Sequence, residues 1–523
     1  MNAGMNGILS GGPGLGQSSG PSATDLLHAG LAKARAGDME GASALLDRAL
    51  RLEPRNPSVL TGRAIIYRVQ GRMRDAVLAC DEALRIEPRL AGAWLERGIV
   101  LSNGGSPALA RESFAKAAEL APQSLDAHAN LAALAARDGD YEQARHAAER
   151  ALALDSGNLL AATALARVLL ADGDPGRTID LLTPIVERSG VDEARATAHS
   201  LLGRAHERLG DHAAAFASYT RSKQDFATFT AGIREGRLAN SGFIDAIGEG
   251  FARTEAGQWS APQAPRAERP NHIFLLGYPR SGTTLVENVL ASIPGVAALE
   301  ERPTLLETDR RFLMGDRDEI ADGVEAFAGL DGAELGQLQD AYWDKVSGAG
   351  VPADIDHFVD MDPLKGSRLP FIARLFPDAR VVVMRRDPRD VVWSCFRTDF
   401  AIANSTLEYI SLESTARHYD ALMRLTEAAC ERLSLQIHEL RYEELVSDFD
   451  RTTQALCDFA GLPWSEDVCR FATTAQQRGV TTASSSQVRK GLYDGSRQWE
   501  PFAPFLEPIL PILQPWIEKF GYA

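Results

Sequence analysis

A spacing of 34 residues recurs through the first part of the chain and constrains its fold more than any other feature. Three series of residues keep it: prolines (Pro54, Pro88, Pro122), glycines (Gly37, Gly71, Gly105, Gly139, Gly173) and alanines (Ala49, Ala83, Ala117, Ala151). A second alanine series breaks to threonine in its last member (Ala42, Ala76, Ala110, Ala144, Thr178). Glycine suits a turn between two helices and alanine suits close helix contact. The spacing therefore predicts stacked helix–turn–helix units that form an all-α solenoid.

The period and the residue types resemble the tetratricopeptide repeat, most clearly in Trp94-Leu95-x-x-Gly98 and Ala110…Phe114…Ala117…Pro122. Five units fill about residues 24–190. A sixth, marked by Leu202-Gly203, Gly210 and Ala215, extends the predicted array to 24–225. The resemblance implies a concave face that binds a protein or peptide. The alternatives are an array that only scaffolds the following domain, or one that forms a homodimer.

Composition narrows the function classes for the 523-residue chain. Its formal net charge of −16 argues against a nucleic-acid or membrane-coating protein, because both need a basic face, although a local basic pocket stays compatible. The five cysteines lack C-x-x-C spacing and predict neither a zinc site nor a disulfide framework. No window reaches the roughly 18 apolar residues of a membrane span. We expect a disordered leader at 1–23, which lacks a signal-peptide layout, and a cytoplasmic protein.

The C-terminal part begins after a predicted helical connector and linker at 226–270, which ends in the proline- and alanine-rich stretch 258–265. His272–Leu276 is a continuous apolar run, typical of a buried parallel strand. A loop, Gly277–Thr284, and a helical pattern to Ser292 follow directly. Backbone N–H groups and the helix dipole make this arrangement suitable for a phosphate. The sequence predicts an α/β domain over 271–523, with a P-loop-like anion site on a parallel sheet.

One residue inside the loop restricts the class of anion that the loop is expected to bind. The glycine spacing equals that of the ATPase pattern G-x-x-x-x-G-K-[ST], but Thr283 stands in place of the lysine. Arg280 supplies the positive charge instead, while Ser281, Thr283 and Thr284 supply hydroxyl donors. This combination suits a phosphosulfate, whose terminal group is stabilised without a metal, and we expect no metal site.

A second strand–loop–helix unit carries more arginines. The strand Arg380–Met384 leads into Arg385-Arg386-Asp387-Pro388-Arg389 and a helix from Asp390 to about Thr398. Arginines at the carboxyl end of a strand can bind a phosphate in a forked geometry, and Ser394 is a further candidate donor.

At these two segments the chain resembles the sulfotransferases. Tyr278–Leu285 is similar to their 5′-phosphosulfate-binding loop, and Arg386-Asp387-Pro388-Arg389…Ser394 is similar to their 3′-phosphate-binding motif. The resemblance spans about residues 270–520. It is strongest to the protein-tyrosine sulfotransferases and to bacterial proteins that fuse tetratricopeptide repeats to such a domain. It implies 3′-phosphoadenosine-5′-phosphosulfate as the donor of a sulfuryl group.

The same resemblance implies a role for individual residues. The 5′ end of the donor would lie on Arg280, Ser281, Gly282, Thr283 and Thr284. The 3′-phosphate would lie on Arg386 and Ser394, and the adenine near Tyr442, after the predicted strand 435–440. In the C-terminal segment Ser485 matches a donor-covering serine. The family has a basic residue directly before Trp499, where this chain has Gln498, so Arg497 is expected to replace it, with Arg489 or Lys490 as alternatives.

The resemblance also implies the catalytic groups. In Glu300-Glu301 the second glutamate matches the general base, with Glu300 as the alternative. A carboxylate is a weak base for a phenol of pKa about 10, so proton removal must accompany sulfuryl transfer. Related chains carry a lysine where this one has Met361. We expect Lys365, four residues on, to supply that charge to the leaving phosphate, and Arg280 to assist.

Two other function classes stay open. Met361 and Gln498 fit a repeat scaffold with a degenerate transferase domain that binds partner proteins. The loop spacing alone also fits a nucleotide hydrolase or kinase. The acceptor is not fixed by the sequence: protein tyrosine is favoured, and another phenol or alcohol is the alternative.

Overall fold

The computed structural model describes residues 20–260, 270–478 and 484–523. The chain forms two compact units, one reaching Ala215 and the other beginning at Phe216. This division falls inside a helix, His212–Phe229, before the predicted end of the array at residue 225. Most of the predicted leader, 1–19, lies outside the described residues, and so do positions 261–265 of the predicted linker.

The first unit is helical throughout its described length, as the 34-residue period predicts. Consecutive helices pair from α1/α2 to α9/α10, and the second helix of each pair also packs on the first helix of the next. The helices are α1 (Ala23–Arg35), α2 (Met39–Leu52), α3 (Pro57–Val69), α4 (Met73–Ile86), α5 (Ala91–Asn103), α6 (Pro107–Leu120), α7 (Leu125–Asp138), α8 (Tyr141–Leu154), α9 (Leu159–Ala171), α10 (Pro175–Val186), α11 (Glu193–Arg208) and α12 (His212–Phe229). This order confirms the predicted solenoid.

The alanine series lie where the paired helices approach each other. All eight alanines of the two series are buried, because a methyl group is the largest side chain that such close contact admits. The one exception in sequence, Thr178, is equally buried. Its hydroxyl donates to the Asp174 carbonyl of the same helix at 3.1 Å, so the extra polar atom has a partner.

The glycine series has a backbone cause. The five predicted turn glycines have φ between 76° and 87°, in the left-handed region that side chains disfavour. Gly139 shows the role clearly, since it caps the C-terminus of α7 and its N–H donates to the Ala135 carbonyl. The repeated glycine therefore reflects one backbone requirement that returns in every unit.

The second unit contains a five-stranded parallel sheet with the order β2-β3-β1-β4-β5. The strands are β1 (Asn271–Leu276), β2 (Val296–Glu300), β3 (His357–Met361), β4 (Arg380–Arg385) and β5 (Gln436–Arg441). Strands β1, β4 and β5 confirm the predicted strands to within one residue at each end. Sequence analysis missed β2 and β3. Strand β2 is short and only partly buried, so it lacks the continuous apolar signal of β1 and β4.

Helices surround the sheet, and the one after β1 builds much of the core. Val286, Val289 and Leu290 of α15 are buried in one cluster with Ile273 and Leu275 of β1. The helices of this unit after α12 are α13 (Ala231–Arg234), α14 (Asn240–Ala252), α15 (Thr283–Ala291), α16 (Leu306–Phe312), α17 (Arg317–Ala328), α18 (Gly332–Gly348), α19 (Leu369–Leu375), α20 (Pro388–Arg397), α21 (Leu412–Arg432), α22 (Tyr442–Ser447), α23 (Phe449–Ala460), α24 (Phe471–Arg478), α25 (Ser485–Val488), α26 (Ala503–Leu506) and α27 (Leu510–Lys519).

The connector differs from its prediction. The helical part of the connector predicted at 226–270 is divided among the end of α12, α13 and α14, with Gly236 at φ 71° in the second break. The start of the predicted linker is a short 3-10 helix, Ala256–Trp259, and Trp259 is buried. Across the described residues, no helix combines the length and the apolar content needed to cross a bilayer.

The turn glycines generate a stability prediction. Gly139→Ala should lower the free energy of unfolding by about 1–2 kcal/mol, because alanine is strained in the left-handed region. Gly157→Ala is the matched control, since Gly157 has no positive φ and its nearest neighbour is the Asp155 carboxylate at an ordinary 3.4 Å. It should be neutral or stabilise by up to about 1 kcal/mol. Urea unfolding followed by far-ultraviolet circular dichroism measures both, and equal losses would contradict the assignment.

Candidate active site

Five of the predicted site segments follow the carboxyl ends of the five strands. The loop Gly277–Thr284 follows β1, Glu301 follows β2, Lys365 lies shortly after β3, Arg386 follows β4, and Tyr442 follows β5. Strands β1 and β4 are neighbours, yet their connections lead to opposite edge strands, β2 and β5. In open parallel sheets a ligand crevice forms at such a switch point.

The loop after β1 is shaped by its glycines. Gly282 has a φ of 106°, and a Cβ there would lie 2.8 Å from the Tyr442 ring. Neither the backbone nor the space admits a side chain, so the ring sits directly on the loop. Gly282 caps the N-terminus of α15, and Thr283 and Thr284 form its first turn, where N–H groups and the helix dipole favour an anion.

Ser281 stabilises the loop from inside. Its side chain is buried, and its hydroxyl accepts a hydrogen bond from the Tyr278 N–H at 3.3 Å. The Ser281 N–H donates in turn to the Tyr278 carbonyl at 3.0 Å. These reciprocal bonds keep the loop tight, and Ser281 therefore shapes the loop in addition to offering a hydroxyl.

Arg280 joins the two predicted anion motifs. Its Nε donates to the hydroxyl of Ser394, on α20, at 3.1 Å. Its terminal nitrogens donate to Ser484 and, at 2.8 Å, to Gln487. The structure thus brings Arg280 and Ser394 together and adds two C-terminal residues that sequence analysis did not name.

Arg386 lies beside the same loop. Its guanidinium donates to the Arg280 carbonyl at 2.7 Å and to the Gly495 carbonyl, and it stacks 4.6 Å from the centre of the Tyr442 ring. The side chain is buried, and its Nε has no hydrogen-bond partner among the described residues. A buried guanidinium nitrogen without an acceptor is costly, and an anionic ligand supplies one.

Tyr442, which follows β5, lies against Arg386 and Gly282. Its hydroxyl donates to the Tyr493 carbonyl and accepts from the Gly495 N–H at 3.1 Å. Burial raises its pKa, which keeps the phenol neutral. Together these side chains line a narrow pocket of about 50 Å³. Its lining includes Arg280, Gly282, Arg386, Tyr442, Gln487 and Tyr493.

The C-terminal segment meets the site chiefly through its backbone. Arg497 has a φ of 60°, and its side chain is 80% exposed. The N–H groups of Arg497 and Trp499 donate to the buried Asp390 carboxylate at 2.7 and 3.0 Å. Burial raises the pKa of Asp390 to about 6, although nearby Arg386 opposes the shift. Gln498, at the position expected to be basic, accepts a hydrogen bond from Arg397.

Ser485 begins the short helix α25, but its side chain lies outside what the structure describes. Its predicted contact with the donor therefore stays a prediction. Ser484, one position earlier, is described, and its hydroxyl accepts from Arg280.

Glu301 occupies a strained turn at the end of β2. Its φ is 48°, and its N–H donates to the Met361 carbonyl of β3 at 2.7 Å. The side chain is exposed at the surface, yet the surrounding protein raises its pKa to about 7 by desolvation. Repulsion from Asp362, Glu300 and Glu287 adds to that shift. A carboxylate with this pKa is suited to accept a proton near neutral pH.

Glu287, on α15, is one source of that repulsion. It is fully buried, and burial raises its pKa to about 7 even though Arg478 donates to it at 2.7 Å. Arg478 also donates to the Ala298 carbonyl of β2 at 3.0 Å, so it ties the helix after the loop to the strand before Glu301. Sequence analysis missed both residues, because the pairing spans 191 positions.

Lys365 lies in the 3-10 helix Pro363–Arg368 after β3. Its buried ammonium forms an ion pair with the fully buried Asp360 and donates to the Arg302 carbonyl at 3.3 Å. Met361, at the position where related chains carry lysine, points into the apolar core beside β1 and α15. The structure therefore groups Lys365 with the turn that carries Glu301, and the pocket lining does not include it.

Backbone strain coincides with the predicted site. In the described chain, the non-glycine residues with positive φ are Arg280, Glu301 and Arg497. Each costs of order 1–3 kcal/mol, and strain of this kind clusters at functional sites. All three were named from the sequence for their charge and for their positions in segments that resemble the sulfotransferases. No sequence pattern signalled the strain.

The side chains near the loop fit an adenosine phosphosulfate. Two guanidinium groups, the hydroxyls of Ser394 and Thr283, and the first turn of α15 offer donors to two anionic ends, and the Tyr442 ring offers a flat surface to a base. Among the described residues no group of three or more histidine, cysteine, aspartate or glutamate side chains is arranged to hold a metal ion.

Family comparisons divide the chain in the same way as its fold. The sulfotransferase family model matches residues 270–466, and the tetratricopeptide repeat model matches 27–91, 95–162 and 163–228. The first match covers the loop, Glu301, Arg386 and Tyr442.

Curated relatives match about half of the chain. An uncharacterized protein of Aquifex aeolicus (strain VF5) is 30% identical over 258 residues, which cover 48% of this chain and 33% of that protein. Protein-tyrosine sulfotransferase 1 of Danio rerio is 24% identical over 261 residues, covering 48% of this chain and 72% of the relative. The Homo sapiens protein of the same name is 26% identical over 261 residues, with 48% and 69% covered. The match thus spans one third of the Aquifex protein.

Solved structures with a similar shape include pilF of Pseudomonas aeruginosa, with 18% identity, a TM-score of 0.35, and coverage of 40% of this chain and 97% of that one. PilW, a type IV pilus biogenesis factor, gives 23% identity, a TM-score of 0.34, and coverage of 39% and 93%. This likeness carries no argument about function. The matches to the two family models show that the chain joins a tetratricopeptide-repeat array to a domain of the sulfotransferase family.

Proposed function

We propose that the chain transfers a sulfuryl group from 3′-phosphoadenosine-5′-phosphosulfate to a hydroxyl acceptor. The observation that carries the proposal is the meeting of Arg280, Arg386 and Ser394 at the junction of β1 and β4. Arg280 belongs to a loop that lacks the lysine of a nucleotide hydrolase, and Arg386 and Ser394 lie beside that loop. Arg280 and Arg386 both line one pocket, which supports a ligand with two anionic ends.

In this proposal each end of the donor has its own residues. Arg280, Ser281, Gly282, Thr283 and Thr284 bind the 5′-phosphosulfate, with the N-terminus of α15 aimed at its charge. Arg386 and Ser394 bind the 3′-phosphate, and Tyr442 lies near the adenine. To receive the donor, Arg280 exchanges its present contacts with Ser484 and Gln487 for the ligand. Ser485 and Arg497 are the proposed contacts from the C-terminal segment, with Arg497 contributing through its backbone position.

The proposed reaction is an in-line displacement at sulfur. The acceptor oxygen forms a bond to sulfur while the bond from sulfur to the phosphate oxygen of the donor breaks. Glu301 takes the proton of the acceptor hydroxyl, and Arg280 with the loop N–H groups stabilises charge on the leaving phosphate. Strands β1 and β2 are separated only by β3, so the strand ends that lead to Arg280 and to Glu301 lie roughly 10 Å apart. That span accommodates a sulfuryl group and an acceptor hydroxyl.

The proposed acceptor is a protein tyrosine, with another phenol or alcohol as the alternative. The relatives named as protein-tyrosine sulfotransferases and the attached repeat array support a protein substrate. In this proposal the array binds a protein or peptide partner. Incubation with sulfur-labelled donor and cell extract identifies the acceptor class, because label then follows protein, glycan or small molecules.

The donor assignment generates a binding prediction. The wild-type protein should bind 3′-phosphoadenosine-5′-phosphate in calorimetry without magnesium, and Arg386→Ala should weaken binding about 10- to 100-fold, because it removes charge-assisted hydrogen bonds worth roughly 1.5–3 kcal/mol. Arg417→Ala is the control, since Arg417 is 68% exposed and pairs with Glu413. Magnesium-dependent binding of ATP would favour the hydrolase or kinase reading. Absence of binding to either nucleotide would favour a repeat scaffold with a degenerate domain.

Glu301 generates a pH prediction. Only the ionised carboxylate accepts a proton, so kcat/KM should rise as pH increases through about 7 and be lost below it. Glu301→Gln should lower kcat by about 10²- to 10⁴-fold. Glu300→Gln should keep the activity and move the acid limb to lower pH, because Glu300 repels charge on Glu301. A Glu301→Gln enzyme with wild-type turnover would rule out this base.

A further inference from the structure

The turn that carries Glu301 is anchored by its neighbours rather than by its own sequence. A residue with a side chain disfavours the φ of 48° found there. The Glu301 N–H donates to the Met361 carbonyl, and the next carbonyl, of Arg302, accepts from the Lys365 ammonium. One bond from the end of β3 and one from the 3-10 helix that follows it therefore hold the strained residue and its neighbour.

A buried polar network supports these bonds. Asp360 is fully buried and accepts from Thr304 at 2.8 Å, from Tyr342 at 2.7 Å and from Lys365. His272 lies 2.8 Å from the Tyr342 hydroxyl. One carboxylate thus grips Lys365 together with Thr304, the last residue of the turn. Every oxygen of Asp360 has a donor, which is the condition under which a buried ion pair is tolerated.

We propose that Lys365 is a positioning residue that acts through Asp360 and Thr304 to hold the Glu301 turn in its strained form. This inference rests on the proposed function, in which Glu301 is the base. It replaces direct contact between Lys365 and the leaving phosphate, because the ammonium is already enclosed by Asp360 and the Arg302 carbonyl. The charge of Lys365 is neutralised where it lies, and its effect on the reaction passes through geometry.

The placement of Met361 agrees with this role. Its side chain lies in the core cluster with Leu275 and Val286, while its carbonyl oxygen faces Glu301. Strand alternation sends Asp360 to the opposite face, toward Thr304 and Tyr342. A methionine at 361 therefore contributes packing on one face, and the Asp360–Lys365 pair on the other supplies the polar anchoring of the turn.

The decisive variant is Thr304→Val, which removes one anchor and changes no charge. Thr453→Val is the matched control, because Thr453, on α23, is also buried and its hydroxyl is also hydrogen-bonded, for example to the Phe449 carbonyl and the Trp464 indole. Thr304→Val should lower kcat about 10- to 100-fold, as a misplaced base does, with affinity for 3′-phosphoadenosine-5′-phosphate within about twofold of wild type. Lys365→Met should behave alike, and Lys365→Arg should restore part of the turnover.

A second readout does not need turnover. Carbon-labelled glutamate, assigned with Glu301→Gln, reports the titration of the Glu301 carboxyl by NMR, and Thr304→Val and Lys365→Met should both displace it while Thr453→Val leaves it in place. Unchanged titration in Thr304→Val overturns the inference, whether or not the enzyme is active. A different result would assign Lys365 to the phosphate instead. In that case Lys365→Met binds 3′-phosphoadenosine-5′-phosphate tenfold more weakly, and Thr304→Val changes neither turnover nor titration. If the wild-type protein transfers no sulfuryl group but both variants displace the Glu301 titration, only the proposed function is refuted.

Discussion

The in-register pairing of β1 with β4 is the constraint on which the proposed site depends. Leu276 lies opposite Val383, so the loop after β1 and the arginines after β4 leave the sheet side by side. The bond from Arg386 to the Arg280 carbonyl then joins the two loops, and Arg280 reaches Ser394 on the helix beyond. A parallel sheet places all its carboxyl ends at one edge, and a switch in connection direction opens a crevice there. Residues 106 and 114 positions apart in sequence therefore form one anion site.

The site contains two differently built halves. At the proposed donor half, Arg280 and Arg386 bond to Ser484, Gln487 and Gly495, while the buried Arg386 Nε has no partner among the described residues. At the other half, Glu301 is exposed but repelled by neighbouring carboxylates, and its turn is held by β3. Charge attracts the ligand in the first half. In the second, desolvation and repulsion from neighbouring carboxylates raise the pKa of Glu301, the proposed base, to about 7. The repeat array is a separate unit in which one turn requirement recurs at each of the five glycines of the 34-residue series.

Much of the fold followed from the sequence because its signals are local. The 34-residue spacing predicts the solenoid, and continuous apolar runs predict β1, β4 and β5 together with the loops that follow them. Strands β2 and β3 were missed because β2 is short and half-buried and neither stands beside a recognisable loop. The contacts of Arg280 with Gln487, of Glu287 with Arg478 and of Lys365 with Asp360 depend on tertiary packing, which no spacing encodes. The sequence suggested that Lys365 contacts the leaving phosphate, whereas in the structure its buried ammonium pairs with Asp360.

Direct detection of group transfer tests the central claim. Purified full-length protein is incubated with sulfur-labelled 3′-phosphoadenosine-5′-phosphosulfate and a tyrosine-containing peptide, with a chelator present, and both products are quantified. The account predicts labelled peptide and 3′-phosphoadenosine-5′-phosphate in equal amounts, with the rate rising through about pH 7 and lost in Glu301→Gln. Glycans and small-molecule phenols are tested in parallel. Label on one of them would change the proposed acceptor and leave the proposed sulfuryl transfer unchanged. Failure to transfer label to any hydroxyl acceptor by a folded, nucleotide-binding protein would contradict it.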